Sequence, residues 1–159
     1  LANVYFDLGS GQVPFAEIDA AYPGLVAKVA GHPGVGFLVG REDGGRTVAV
    51  SGEGRRDLAS GVVEGVDPLA SYGAHDHHAA LLARLASFPH AGDLIVVSTL
   101  YDDGSVAAFE ELVGSHGGLG GLQTEATIVH PSAYAMPPTT NAEDIFAVLD
   151  ARRRPVVEG

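Results

Sequence analysis

Asp93-Leu94-Ile95-Val96-Val97-Ser98-Thr99 decides the fold, because four apolar residues in a row, three of them β-branched, have the length and composition of a strand. A run with no polar face belongs in the middle of a sheet, covered on both sides. The fold class expected from it is α/β, with helices flanking a mixed sheet.

Working upstream, a helix beginning near Ala74 places Leu81, Leu82, Leu85 and Phe88 on one face and is closed by Pro89. Before it lie two hairpin signals. Val35 to Val39 and Arg46 to Val50 flank Glu42-Asp43-Gly44-Gly45, whose Asp-Gly and Gly-Gly steps tolerate positive φ, and Arg55 to Leu58 pairs with Val62 to Glu64 around Ser60-Gly61. Together they predict a small antiparallel β-meander over approximately residues 33–66. At the N-terminus, Ala2 to Leu8 reads as a strand stopped by Gly9-Ser10-Gly11. Phe15, Ile18, Tyr22, Leu25, Val26 and Val29 follow helical spacing, but Pro23 interrupts them. Two short helices are expected, with Pro23 at the first position of the second, ended by Gly31 and the His32-Pro33-Gly34 turn.

Downstream, a turn at Asp102-Asp103-Gly104 leads to Val106-Ala107-Ala108-Phe109. Thr127-Ile128-Val129 reads as a short strand, followed by a connector containing Pro131, Pro137 and Pro138. The final helix starts at Thr140 or Asn141, with Thr140 and Glu143 spaced as a capping box, and should bury Ile145, Phe146 and Leu149. The expected core is Leu94, Val96, Val97, Phe109, Leu85, Phe88, Ile145 and Leu149. No repeat or linker divides the chain, so residues 1–159 read as a single domain or domain fragment.

Composition narrows the function. Twenty acidic residues against nine basic ones give a formal charge of −11, which repels phosphate backbones and anionic lipid, so nucleic-acid binding is not expected. Arg152-Arg153-Arg154, the one basic cluster, falls at the end of the last helix, where cations complement the carbonyl end of the dipole. The absence of cysteine removes disulfides and thiolate metal sites. No apolar run approaches the ~20 residues that span a bilayer, so no membrane contact by this segment is expected. A start at Leu1 rather than Met points to processing, or to excision from a larger protein.

One stretch carries chemistry. In Phe109-Glu110-Glu111-Leu112-Val113-Gly114-Ser115-His116-Gly117-Gly118-Leu119-Gly120-Gly121, a single imidazole stands among five glycines. A loop so poor in side chains brings its backbone close to a partner and presents one neutral nitrogen ligand. Spacing alone leaves His116 readable as a loop histidine serving a turn or a hydrogen bond, because a zinc site needs three or four converging ligands. Glu110 and Glu111 read either as carboxylates orienting that imidazole or as solvated strand-end charges. His75-Asp76-His77-His78 puts two histidines at i,i+3, but at a helix start it reads as a surface cluster with weak affinity for nickel or adventitious zinc. Ser98 and Thr99 end an apolar strand with no base placed beside them by any motif. Gly9-Ser10-Gly11 and Gly52-Glu53-Gly54-Arg55-Arg56 lack the context of a phosphate cradle and read as turns. Asp67, in Gly-Val-Asp-Pro-Leu, reads as a turn-forming carboxylate bonded to its own backbone.

The Gly114-Ser115-His116-Gly117-Gly118 segment resembles one in the alkaline phosphatase superfamily, in the type I phosphodiesterase/nucleotide pyrophosphatase branch found in actinobacterial membrane proteins. The resemblance runs on through Leu1-Ala2-Asn3-Val4-Tyr5-Phe6, Tyr22-Pro23-Gly24-Leu25, His32-Pro33-Gly34-Val35-Gly36-Phe37, Gly65-Val66-Asp67-Pro68-Leu69-Ala70 and Gly92-Asp93, and so covers most of the chain. It implies the C-terminal portion of a phosphodiesterase-like catalytic domain with a partial alkaline-phosphatase-like core. His116 would be the last histidine ligand of a two-zinc centre, a pair of divalent metal ions. Gly114, Gly117 and Gly118 would shape the loop, and Ser115 would support the ligand from outside the coordination sphere. The family's Ser/Thr nucleophile, its Asp-x-x-x-His pair and its Ser-Asp-His-Gly segment do not appear. The resemblance therefore implies a phosphoric-ester hydrolase as parent, acting on a phosphoester with the remainder of the catalytic domain as this chain's partner, and a fragment inactive alone. A different reading is a non-catalytic structural or partner-binding module of a bacterial membrane-associated protein.

Overall fold

A computed structural model of the protein describes residues 1–9, 11–111 and 118–153. In chain order its elements are β1 (Ala2–Val4), α1 (Phe15–Ala21), α2 (Leu25–Ala30), β2 (Val35–Arg41), β3 (Thr47–Val50), β4 (Gly54–Asp57), β5 (Val63–Gly65), α3 (His75–Ala86), β6 (Leu94–Ser98) and α4 (Ala142–Asp150), with 3-10 turns at Ala70–Tyr72 and Gly121–Thr124. The chain divides into two units, Leu1–Ala126 and Thr127–Gly159.

In the first unit all six strands form one sheet in the order β1-β6-β2-β3-β4-β5. Every residue of β6 is buried, and its alternation assigns the two faces. Leu94 and Val96 join Leu38, Val13, Ile18, Val26 and Ala30 under α1 and α2. Ile95 and Val97 join Phe37, Val39, Ala49, Leu82 and Ala86 under α3. The register agrees, with Leu38 opposite Val96 and Val39 opposite Ile95. The protein is thus α/β, with helices on both faces of the sheet and the expected β-meander at β2 to β5. Every pairing among the described strands is antiparallel, where a mixed sheet was expected. An unbroken apolar strand reports cover on two faces, and helices supply that cover here without parallel neighbours.

Long-range polar bonds fix the ends of these elements. The buried Asp93 carboxylate accepts the Phe6 N–H and the Val13 N–H, each at 2.7 Å, tying the segment after β1 to the start of β6. At the carbonyl end of α3, Ala86 O accepts from Gln12 Nε2 at 3.1 Å and from Arg41 Nη2 at 3.2 Å, while Arg41 Nε donates to Gln12 Oε1. These bonds satisfy carbonyls that a helix end leaves without intrahelical partners.

Several expectations need correction. Strand β1 stops at Val4, because the backbone beyond it turns to Asp93. Pro23 lies between the two helices rather than opening the second, whose N-cap is Gly24. Thr127 to Val129 form no strand. α3 buries His78, Ala79, Leu82 and Ala86, so its buried stripe is centred on Leu82, with Leu85 only packed against its edge. Phe88 is exposed because the helix ends at Ala86, before it, and the Arg84 guanidinium lies 5.7 Å from its ring centre. Phe109 is exposed as well.

In the second unit, the Asn141 side chain caps α4 by accepting the Asp144 N–H at 3.0 Å, and Asp144 reaches back to the Thr140 N–H at 2.9 Å. The reciprocal cap is thus displaced by one residue from the Thr140 and Glu143 expectation. At the other end Arg152 Nη1 donates to Val148 O at 2.7 Å, the carbonyl-end role expected of that cluster. Phe146 and Leu149 are exposed rather than buried. The unit has one helix and no strand among its described residues, and so lacks a second layer of its own for that face.

Candidate functional site

Gly114, Ser115, His116 and Gly117 lie outside the described residues, as do Ser10 and Arg154. The two flanks of the His116 loop are described, and both dock at the carboxyl end of β6.

The leading flank is led there by backbone bonds. After Ser98, the Thr99 N–H donates to Gly34 O at 3.1 Å and its hydroxyl to Pro33 O at 2.7 Å, fixing the His32-Pro33-Gly34 turn beside the strand end. A tight turn follows, closed by Gly104 N–H to Tyr101 O at 2.9 Å. Its Asp103 carboxylate accepts from the Ser105 hydroxyl and N–H, which hold its pKa below the usual value. The chain then folds back, with Leu100 bridging to Val106 and the Ala107 N–H donating to Thr99 O at 3.0 Å. Phe109 and Glu110 thereby come to line a small cavity with Leu1, Ser98 and Gln123.

The trailing flank is pinned by packing. Leu119 belongs to the α3-side core. Gly120 has φ +83°, and a Cβ there would come within 2.8 Å of Tyr72 and 3.0 Å of Leu100, so glycine is required on both counts. Gly118 lies against the amide of Gln123, where a Cβ would meet Oε1 at 2.8 Å.

Tyr72 is the keystone of this end. Its buried hydroxyl donates to Ser98 O at 2.7 Å, its ring meets Phe37 edge-on at 5.1 Å, and burial raises its pKa, with the Leu100 backbone opposing. The hydroxyl reaches Ser98 because Gly36, at the bulge in β2, has no side chain: a Cβ would fall 1.8 Å from it.

The other residues singled out by sequence are engaged in structural bonds or lie apart. His75 Nε2 is 3.1 Å from Ala70 O, Asp76 accepts from Arg56 Nη2 at 2.8 Å, and His78 is buried. Among the described residues no three of His, Asp and Glu converge as metal ligands. Glu110 and Glu111 are exposed. Asp67 caps its own turn by accepting the Leu69 N–H at 3.0 Å, and it also accepts from the buried Arg56 at 2.6 Å. Sequence reading missed that ion pair. The signal was there: adjacent Arg55 and Arg56 on a strand must point to opposite faces, and one face is buried.

Also missed was a cleft of about 470 Å³ at the same sheet end, walled by Ala30 to Pro33 with Val35 and Gly36, by Ser51 to Glu53, by Val66 to Pro68 and Ala70 to Tyr72, and by Thr99 and Leu100. Tyr72 and Leu100, which hold Gly120, are part of its wall. Comparison with known proteins gives no match: no family model, no curated protein and no solved structure matches the chain.

Proposed function

We propose that this chain is the C-terminal portion of a metal-dependent phosphodiesterase/nucleotide pyrophosphatase-like hydrolase, to which it contributes His116 as one metal ligand and no nucleophile. The observation that carries the reading is that both flanks of the glycine loop are held near one end of the central strand, the leading one by the Ala107 N–H bond to Thr99 O and the trailing one by the packing of Leu119 and Gly120. A loop anchored on both sides at the rim of a rigid sheet suits a ligand that must be held in fixed geometry. One imidazole is a suitable zinc donor, but the described residues supply no converging set, so the remaining ligands of a two-ion centre would come from elsewhere in the intact protein. In such a centre the ions activate the attacking oxygen and stabilise the transferring phosphoryl group.

The test is to express the gene encoding this chain from its own start codon and assay hydrolysis of bis-p-nitrophenyl phosphate with zinc. His116→Ala should reduce kcat/KM by roughly a hundredfold or more, with loss of bound zinc, since a second-row substitution alone costs about 10–100-fold in metal affinity or activity. Activity and zinc content equal to wild type would overturn the assignment.

A further inference from the structure

The cleft beside Tyr72 is built, and its lining mixes polar and apolar residues. Its floor depends on glycines in close contact: a Cβ on Gly52 would lie 3.2 Å from Gly31 Cα, and one on Gly36 would collide with the Tyr72 hydroxyl. A volume of about 470 Å³ is in the range that holds a small molecule. Among the described residues no lysine or arginine lines it, whereas Glu53 and Asp67 do. Asp67 is committed to Arg56 and the Leu69 N–H, which leaves the Glu53 carboxylate to accept from a ligand. His32 Nδ1 accepts the Gly34 N–H at 3.1 Å, so the neutral ring carries its proton on Nε2 and can donate from there. Ser71 adds a hydroxyl, and Val66, Pro68 and Leu100 add apolar wall.

An acceptor, a donor and a hydroxyl over an apolar wall match a molecule with several hydroxyl groups and C–H faces. Anions meet a carboxylate and, among the described residues lining the cleft, no lysine or arginine, in a chain whose net charge is already −11. We propose that this cleft binds an uncharged polyol or sugar, the alcohol portion of the substrate lying to one side of the phosphate, and excludes nucleotide groups. The assignment to a substrate rests on the phosphodiesterase reading above; the binding of a polyol does not.

The experiment titrates the full, isotopically labelled chain with myo-inositol, with AMP and with choline, following backbone amides by NMR. Inositol should shift Gly34, Gly52, Glu53 and Ser71 saturably, and AMP and choline should not. Glu53→Ala should weaken inositol binding about tenfold, the loss expected for a hydrogen bond to a charged group. Ser71→Ala, at an exposed position, should weaken it independently. Shifts with AMP or choline in place of inositol, no shifts with any probe, or an unchanged affinity in both variants would overturn the proposal. Because binding is read without metal or turnover, an inactive His116→Ala gene product with no inositol binding defeats the cleft alone. Inositol binding together with a fully active His116→Ala protein defeats the hydrolase reading alone.

Discussion

The buried Asp93 carboxylate takes one backbone N–H on each oxygen, from residues 87 and 80 positions away. Removing it strands two amides and loses two long-range hydrogen bonds. Asp93→Ala is expected to lower the unfolding free energy by about 2–4 kcal/mol. The same change at Asp103, exposed and bonded only within its turn, should cost far less than the change at Asp93. Urea denaturation of both variants checks this, and equal losses would mean that the Asp93 staple contributes nothing special. Nothing in the local spacing of Gly92-Asp93-Leu94 names Phe6 and Val13 as partners, because such pairing is fixed by topology. The Arg56 ion pair was more legible, since strand alternation alone sends one of two adjacent arginines inward.

At the scale of elements, α3 tests how far periodicity reaches. Its large apolar residues suggest a stripe through Leu81, Leu82, Leu85 and Phe88; of these only Leu82 is buried, and the helix lies on the sheet through Leu82 with Ala79 and Ala86, small side chains that let the backbones approach. Leu82→Ala should therefore cost about 2–5 kcal/mol, as a buried truncation does, and Phe88→Ala about 1 kcal/mol or less. Thermal and urea melts of the pair would decide it, and the reverse ranking would restore the stripe through Phe88. Strand β6 and the meander were legible because each rests on a local signal, an unbroken apolar run or a glycine-bearing turn between alternating strands. The cleft was not legible, because His32, Glu53 and Ser71 come from three turns that only the sheet brings together. Of the His116 loop, sequence showed the glycines and the imidazole but not that Tyr72, Leu100 and Gln123 hold its flanks.

For the whole molecule, acid should act in two stages with one sign. His78 is buried on α3, and burial, followed by the nearby His77 and His75, pushes its pKa below 6.5, with a bond to the Gly73 backbone working the other way. The Arg56–Asp76 pair lies at the same helix start. In the unfolded chain His78 takes its proton at the ordinary value, so between that value and the lowered one the unfolded state binds more protons than the folded state. Stability is then full above pH 6.5, falls as pH falls through this window, and levels off below the folded pKa. A second loss follows at lower pH. Asp57, bonded to the Ser60 N–H, and Asp103, bonded to Ser105, titrate below 3.8 when folded, so the stability they add is present above 3.8 and lost as pH falls through their lowered values. His78→Gln keeps a donor for the Gly73 carbonyl but cannot titrate. Urea midpoints should fall between about pH 8 and about pH 5 in the wild type, and much less in His78→Gln, while both proteins lose stability below about pH 4. An equal fall over the upper range in the two proteins would show that His78 is not the group that senses the first stage of acidification.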